Sequence, residues 1–413
     1  MAQINFTLTE EEILQVLTGD RDEGMRYLLE KIVNLIMKAE SEEQLGALKY
    51  ERSESRQDYR NGTRERELTT RIGTIVLEVP RHRNEPFHTM VFENYQRSEA
   101  SLIAAMVQMV IAGVSTRKVS KVVETLCGKE FSKSTVSELC KMLDKEVNAF
   151  RNRRLDNIDA PFLMVDATYF KVRNDHKIGS KAFMVALAFK SDGRREIVGF
   201  DVYDAEDNYS WKRFFESLKD RGLTSVQMVI SDAHKSIRTS LAKVYPEAAW
   251  QRCQVHLERN VLDEAPPKYK EAIKLALRDI FNAETLEEAR KLKDNLAEEY
   301  SDVAEKAMDL LDAGFEDAIT AMCLPKRIRI ALRTTNILER LNRELKRRSD
   351  VIGIFPNEGS LLRLMGSIAI EYSDTQGMAQ SLFSDKKFNQ IRRDLTMTLR
   401  RIANEQLNLL AAA

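Results

Sequence analysis

The chain has 413 residues, room for two to four domains, and its 43% apolar content is enough to build cores. Its 64 Lys and Arg offset 64 Asp and Glu, so no overall charge draws it to nucleic acid or to a membrane. The longest apolar stretch, around Leu102 to Val114, spans about a dozen residues and is too short to cross a bilayer. Four scattered cysteines (Cys127, Cys140, Cys253, Cys323) exclude a disulfide framework. Met1-Ala2-Gln3-Ile4-Asn5 does not read as a signal peptide but runs into an acidic helix start, Thr9-Glu10-Glu11-Glu12, so a reducing cytoplasm is expected.

Residues 9–45 predict helices, with Ile13, Val16 and Leu17, then Tyr27, Leu28, Ile32, Val33, Ile36 and Met37 at helical spacing. From 50 to 97 the pattern changes. Asn61-Gly62 is a turn signal, and Leu68 to Val79 alternates around Gly73, predicting a small β-hairpin. Arg60, Arg64, Arg66, Arg71, Arg81 and Arg83 dot this piece among acids, so it reads equally as a solvated hairpin or a DNA contact. Residues 99–150 return to helices. One follows Ser115-Thr116-Arg117-Lys118 and another opens at Phe131-Ser132-Lys133-Ser134, with Gly128 between them. This resembles a DNA-reading helix-turn-helix, although any capped helix pair in a bundle looks similar.

Beyond about 160 the pattern is α/β. Strands are expected at 162–172, 182–190 and 196–203, then a helix over 210–220, a strand at 226–230, a helix from near His234 and a short strand at 248–250. That order matches a ribonuclease H-like core. Residues 259–325, opened by Pro266-Pro267, read as an all-helical insertion in it. The expected divisions are 1–98, 99–158, 159–258, 259–325 and 326–413, a mainly helical N-terminal region with a hairpin preceding the interrupted core. The neutral sum hides strong local charge. Residues 284–317 hold twelve acids against four bases, while residues 326–348 hold nine bases against two acids.

Three carboxylates stand out. Asp166 interrupts the apolar run Phe162-Leu163-Met164-Val165, sharing a strand face with Phe162, Met164 and Thr168. An unpaired buried carboxylate is costly, so it calls for a metal or a core arginine. Asp232 ends the run Val226 to Ser231; it reads either as the cap of the next helix or as an acid at a strand's carboxyl end, where α/β sheets place their chemistry. Glu339 lies on a basic helix, opposite the face formed by Ile337, Leu338, Leu341 and Leu345. It reads alone as the salt-bridge partner of Arg343, with Glu344 and its neighbour Arg348 in competition. Arg333, Arg340, Arg343, Lys346, Arg347 and Arg348 around it would neutralise phosphates beside a metal site. Two strand-borne aspartates and a helix-borne glutamate can hold a pair of divalent ions, the arrangement that cuts and joins phosphodiesters. Cys253 and His256 make only half of a structural zinc site, and Trp211 and Trp250 read as core.

Val165-Asp166-Ala167-Thr168-Tyr169, Ser231-Asp232-Ala233-His234-Lys235, Arg252-Cys253-Gln254-Val255-His256 and Thr335-Asn336-Ile337-Leu338-Glu339-Arg340-Leu341-Asn342 closely resemble the Mutator-related family of bacterial insertion-sequence transposases. Tyr59-Arg60-Asn61-Gly62, Pro80-Arg81-His82-Arg83 and Lys346 through Asn357 extend the likeness, in the family's order, over nearly the whole chain. The resemblance implies an Asp-Asp-Glu enzyme that uses two Mg²⁺ ions, replaceable by Mn²⁺, with Asp166, Asp232 and Glu339 as metal ligands. It makes Cys253 and His256 the family's Cys/Asp-x-x-His signature near the active site. It further implies double-stranded DNA as partner, through terminal inverted repeats and target, and a homodimer or larger assembly to hold two ends. A non-catalytic DNA-binding regulator and a simple ribonuclease H-like nuclease are the competing expectations.

Overall fold

A computed structural model describes residues 9–10, 13–14, 21–51, 55–91, 100–127, 131–174 and 177–412. They fall into two compact units, Met1–Met142 and Leu143–Ala413. The helix expected over 9–20 lies largely outside the described residues, as does Gly128.

In the first unit a long helix, α1 (Arg21–Leu45), packs on a two-stranded antiparallel hairpin, β1 (Arg60–Thr70) and β2 (Gly73–His82). The hairpin turns at Arg71-Ile72, and Asn61-Gly62 instead sits at an irregularity between Arg60 and Thr63, with Gly62 at φ 77°. The turn signal was thus a bulge, which needs the same left-handed backbone. Side chains of α1 take the place of a third strand on β2. Asn34 donates to Val76 O (3.1 Å) and accepts from Glu78 N (2.8 Å), while Glu30 accepts from Val76 N (2.9 Å). The buried Asp58 carboxylate ties the hairpin ends, accepting from the backbone of Tyr59 (2.7 Å), Asn84 (3.0 Å) and Glu85 (2.9 Å). Three further helices, α2 (Ala100–Ile111), α3 (Thr116–Cys127) and α4 (Lys133–Leu139), bury Met106, Val119, Val123 and Val136 together. Ser132 caps α4 by accepting from Thr135 N at 3.0 Å.

The second unit opens with α5 (Leu143–Asn152) and is built on a five-stranded sheet: β3 (Phe162–Asn174), β4 (Lys177–Phe189), β5 (Arg195–Tyr203), β6 (Met228–Ser231) and β7 (Ala249–Arg252). The order across it is β5-β4-β3-β6-β7, with β3 to β5 antiparallel and β6 and β7 parallel to β3. Long apolar runs fit strands covered on both faces. On one face, α6 (Asn208–Asp220) and α7 (Lys235–Val244) bury Trp211, Phe215, Leu218 and Leu241 against Val165, Met184 and Val198. Asp207 starts α6 by capping Ser210 N at 2.7 Å. On β5 lies α14 (Glu358–Met378), close enough that a Cβ on Gly366 would meet Phe200 at 2.9 Å. Against β7 lies α15 (Asp385–Ala412), whose Gln406 accepts from Trp250 N at 2.8 Å.

Between β7 and α13 (Asn336–Ser349) the chain is helical: α8 (Gln254–Glu264), α9 (Lys270–Asn282), α10 (Leu286–Tyr300), α11 (Glu305–Ala318) and α12 (Lys326–Leu332), with a short 3₁₀ turn before α12. These helices share a core of their own, including Leu257, Leu277, Leu311 and Phe315. The excursion departs from and returns to one point. Gln254 N donates to Arg333 O (3.0 Å), and both the backbone and the hydroxyl of Thr335 donate to Cys253 Sγ at 3.3 Å.

Candidate active site

Parallel pairing of β3 with β6 runs Phe162↔Met228, Leu163↔Val229 and Met164↔Ile230. Asp166 and Asp232 each lie two residues beyond the last pair, so alternation points both to one side at the same level. Both are half-buried. Among the described residues no arginine pairs with Asp166. It accepts from Ala167 N (2.9 Å) and from the Asn342 amide (2.8 Å). Burial first, and the nearby Asp232 second, push its carboxyl up to about 7, with Glu206 adding to the repulsion and His256 opposing it. Asp232 does not cap α7, whose N-cap is His234; it accepts from His234 N at 3.1 Å.

Glu339 arrives from the first turn of α13, anchored by the buried Leu338, Leu341 and Leu345. It turns toward α8 rather than to Arg343: His256 Nε2 lies 3.7 Å from Oε1 and Arg259 lies 3.5 Å from Oε2. Glu344 is the surface acid of this helix, gripped by Arg347 and Arg348 at 2.6 and 2.7 Å. One turn past Glu339, Asn342 holds Asp166, so a single helix delivers a carboxylate and the amide that orients another.

His256 stands at the meeting point. It is carried in the first turn of α8, directly after β7, and is raised above its usual value. Cys253 is the largest cause, and Asp232 and Glu339 add to it against burial. Burial works to raise the Cys253 thiol, but His256 and Thr335 outweigh it and lower it. His256 Nδ1 nonetheless makes no well-aligned hydrogen bond among the described residues, so the sulfur acts by proximity. Cys253 is thereby a buried positioning group for a histidine that faces the acids.

Glu206, in the loop between β5 and α6, is a fourth carboxylate that sequence reasoning missed. Burial, then Asp232, push it up to about 7. Asp204-Ala205-Glu206-Asp207 reads as a polar loop, and nothing local reveals that it lies beside Asp232. Asn342 and Arg259 were likewise unflagged as site residues, because helical spacing does not say what the neighbouring helix brings.

The donor set suits divalent cations. Asp166, Asp232, Glu206 and Glu339 are linked pairwise through Asp232 and His256, two of them forced toward the neutral form, and Glu339 Oε1 is buried without a hydrogen-bond partner among the described residues. Among the described residues no three Asp, Glu, His or Cys side chains stand close enough together to enclose a cation. Arg340, Arg343 and Lys346 are exposed on α13, the helix that carries Glu339. Arg347 and Arg348 are engaged by Glu344, with Arg348 also on Glu371 (2.7 Å), and Arg333 donates to Phe281 O and Asn282 Oδ1, each at 2.9 Å. In the first unit Arg117 and Lys118 of α3 and Lys133 and Ser134 of α4 are exposed. Trp211 and Trp250 are buried in the core, as expected. Among the described residues no helix is long and apolar enough to cross a membrane.

Comparison with known proteins agrees with the residues. Over 391 residues the chain is 41% identical to the transposase for insertion sequence element IS256 in transposon Tn4001 of Staphylococcus aureus, covering 94% of this chain and 99% of that protein. It is 39% identical to the transposase for insertion sequence element ISRM5 of Rhizobium meliloti (84% of this chain, 87% of that protein). With the transposase for IS1081 of Mycobacterium tuberculosis it shares 34% identity (89% and 88%). Residues 1–377 match the family described as Transposase, Mutator family, and the chain belongs to that family.

Proposed function

We propose that this transposase is an Asp-Asp-Glu polynucleotidyl transferase that binds the terminal inverted repeats of an insertion sequence and cuts and joins DNA through Asp166, Asp232 and Glu339. The meeting of these acids around His256, from β3, the end of β6 and α13, carries the reading. The sheet order β5-β4-β3-β6-β7, three antiparallel strands followed by two parallel ones, supports a ribonuclease H-like core interrupted by the helices of 254–332. Bound between the three carboxylates, two Mg²⁺ ions (or Mn²⁺) would activate the attacking oxygen and stabilise the leaving one.

The side chains divide the remaining work. The paired strands fix Asp166 and Asp232, and the Asn342 amide holds the Asp166 carboxylate in one orientation. His256 and Arg259 hold Glu339 until substrate arrives. Arg340, Arg343 and Lys346 are positioned to take backbone phosphates beside the scissile one. In the first step water displaces the 3′ oxygen at an element end, breaking one P–O bond as another forms. The freed 3′-hydroxyl then displaces an oxygen at a second phosphodiester, in the other end or in target DNA. No serine or tyrosine nucleophile is needed. Two ends must be held at once, so the working form is a dimer or larger assembly on double-stranded DNA in the bacterial cytoplasm.

The test is incubation of purified protein with labelled inverted-repeat DNA and Mg²⁺ or Mn²⁺, beside Asp166→Asn and Glu339→Gln. Expected are cleavage and joining by the wild type, and losses of about a thousandfold or more in both variants with end binding retained. Binding without cutting in either metal would make the protein a regulator. Cutting without joining would make it a nuclease.

A further inference from the structure

A polar cavity of about 420 Å³ opens in the second unit between α5, the end of β5 and α6. Arg151, Arg213 and Arg221 line it with Tyr203 and Tyr209, and Asp201 is its one acid. Asp201 is committed to Arg151 at 2.7 Å, which holds that guanidinium in place. Arg221 is fixed from behind by donating to Val198 O at 2.8 Å. Arg213 and the Tyr203 hydroxyl have no hydrogen bond or ion pair among the described residues. Burial, with Asp201 adding to it, raises Tyr203, so its hydroxyl stays a proton donor at neutral pH. Burial and the neighbouring Arg153 push Arg221 down to about 10, which leaves it charged while marking the crowding of cations here. A half-buried hydroxyl and an excess of two guanidiniums around a small polar cavity match a tetrahedral oxyanion, since the guanidiniums only donate and the protonated hydroxyl can donate beside them.

We propose that this cavity is a phosphate-binding site, taking one backbone phosphate of the DNA substrate at a distance from the bond being cut. Two of the elements that form it, β5 and α6, also flank the loop 204–207, which carries Glu206 beside Asp232. A duplex seated on the acids would therefore have a second, fixed anchor on the edge strand of the sheet. A free phosphate or nucleotide offers the same chemistry, and the experiment separates the two sources. The DNA assignment rests on the proposed activity, whereas the anion site does not.

Full-length Asp166→Asn protein, without divalent ions, is titrated with fluorescent inverted-repeat duplex over a range of salt, and separately with inorganic pyrophosphate by calorimetry. Arg213→Gln and Tyr203→Phe are then added, the first exposed on a helix and the second losing only a hydroxyl. The expected result is weaker duplex binding with a logarithmic salt slope reduced by about one in Arg213→Gln, and a smaller loss in Tyr203→Phe. Loss of pyrophosphate binding with an unchanged duplex slope would keep the anion site but assign it to a free ligand, overturning the DNA assignment. Unchanged slopes and unchanged pyrophosphate binding in both variants would overturn the site itself. Failure of the wild type to cut DNA in Mg²⁺, with the slope change intact, would count against the transposition chemistry and leave this site standing.

Discussion

Asn342 reaches across from α13 to Asp166 at 2.8 Å, and its loss frees a carboxylate already strained by burial and by Asp232. Groups that orient metal ligands typically affect affinity or activity by about 10–100-fold. Asn342→Ala is expected to cut less by that factor, with the Mg²⁺ concentration for half-maximal rate rising, as read from a metal titration of end cleavage. Asp166 also makes a pH prediction for metal-free protein. Its folded value is raised from 3.8 to about 7, so the folded state holds the proton over a range where the unfolded chain has released it. Stability from this group is full below pH 4 and is lost as pH rises through 7. Asp166→Asn should therefore raise the melting temperature more at pH 8 than at pH 4. An equal change at both would show the carboxyl to be unstrained. Asp166 was legible because an acid inside an apolar strand has so few satisfactory explanations. Glu206 was not, because its strain comes from burial and then from Asp232, and both arise only once the sheet has formed and brought distant residues together.

At the scale of the element, α13 joins the core to the site: Leu338, Leu341 and Leu345 are fully buried beneath a helix whose opposite face is basic. Leu341→Ala should cost about 2–5 kcal/mol of stability in chemical denaturation, as core leucine truncations do. It should reduce cleavage further by loosening Glu339. The helical spacing revealed this apolar stripe from sequence, but it also sent Glu339 to the solvent side. A helical wheel ranks positions against one partner surface, and α13 has two, the sheet on one side and α8 on another. The hairpin was similarly half-readable. Its strands followed from alternation, yet Asn61-Gly62 marked a bulge because φ above zero serves a turn and a bulge alike. Asp58, which closes that hairpin, is lowered from 3.8 to about 2 chiefly by the Glu85 backbone N–H. Its contribution is present above pH 4 and is lost as pH falls through 2, so Asp58→Asn should be less stable than wild type at pH 7 and converge with it near pH 2, as followed by circular dichroism.

The whole molecule resolves a charge sum of zero into separate working parts. The acids of 284–317 lie in the helical excursion and the bases of 326–348 on and beside α13, so composition alone conceals a local basic stretch that position reveals. The second unit carries its own sheet, two hydrophobic cores and every residue of the proposed site. Residues 143–413 expressed alone should therefore unfold cooperatively in denaturant, and a non-cooperative transition would show dependence on the first unit. The succession of strands and helices along the chain was within reach of the sequence, since apolar runs and helix signals alternate along it. The pairing that levels Asp166 with Asp232 was not, because register is decided between strands.

The pinned ends of the helical excursion give the protein a place to change length. Gln254 and Arg333 are neighbours through a direct hydrogen bond, and Thr335 grips Cys253 just outside them. Whatever is threaded between those two points enters and leaves at a fixed position, and the entropy of closing a longer loop grows only as the logarithm of its length. Segments between α8 and α12 should tolerate trimming, extension or replacement, provided His256 and Arg259 of α8 still meet Glu339. Diversification of this enzyme, in lineages or at the bench, has a built-in splice point about one turn of helix away from its proposed site.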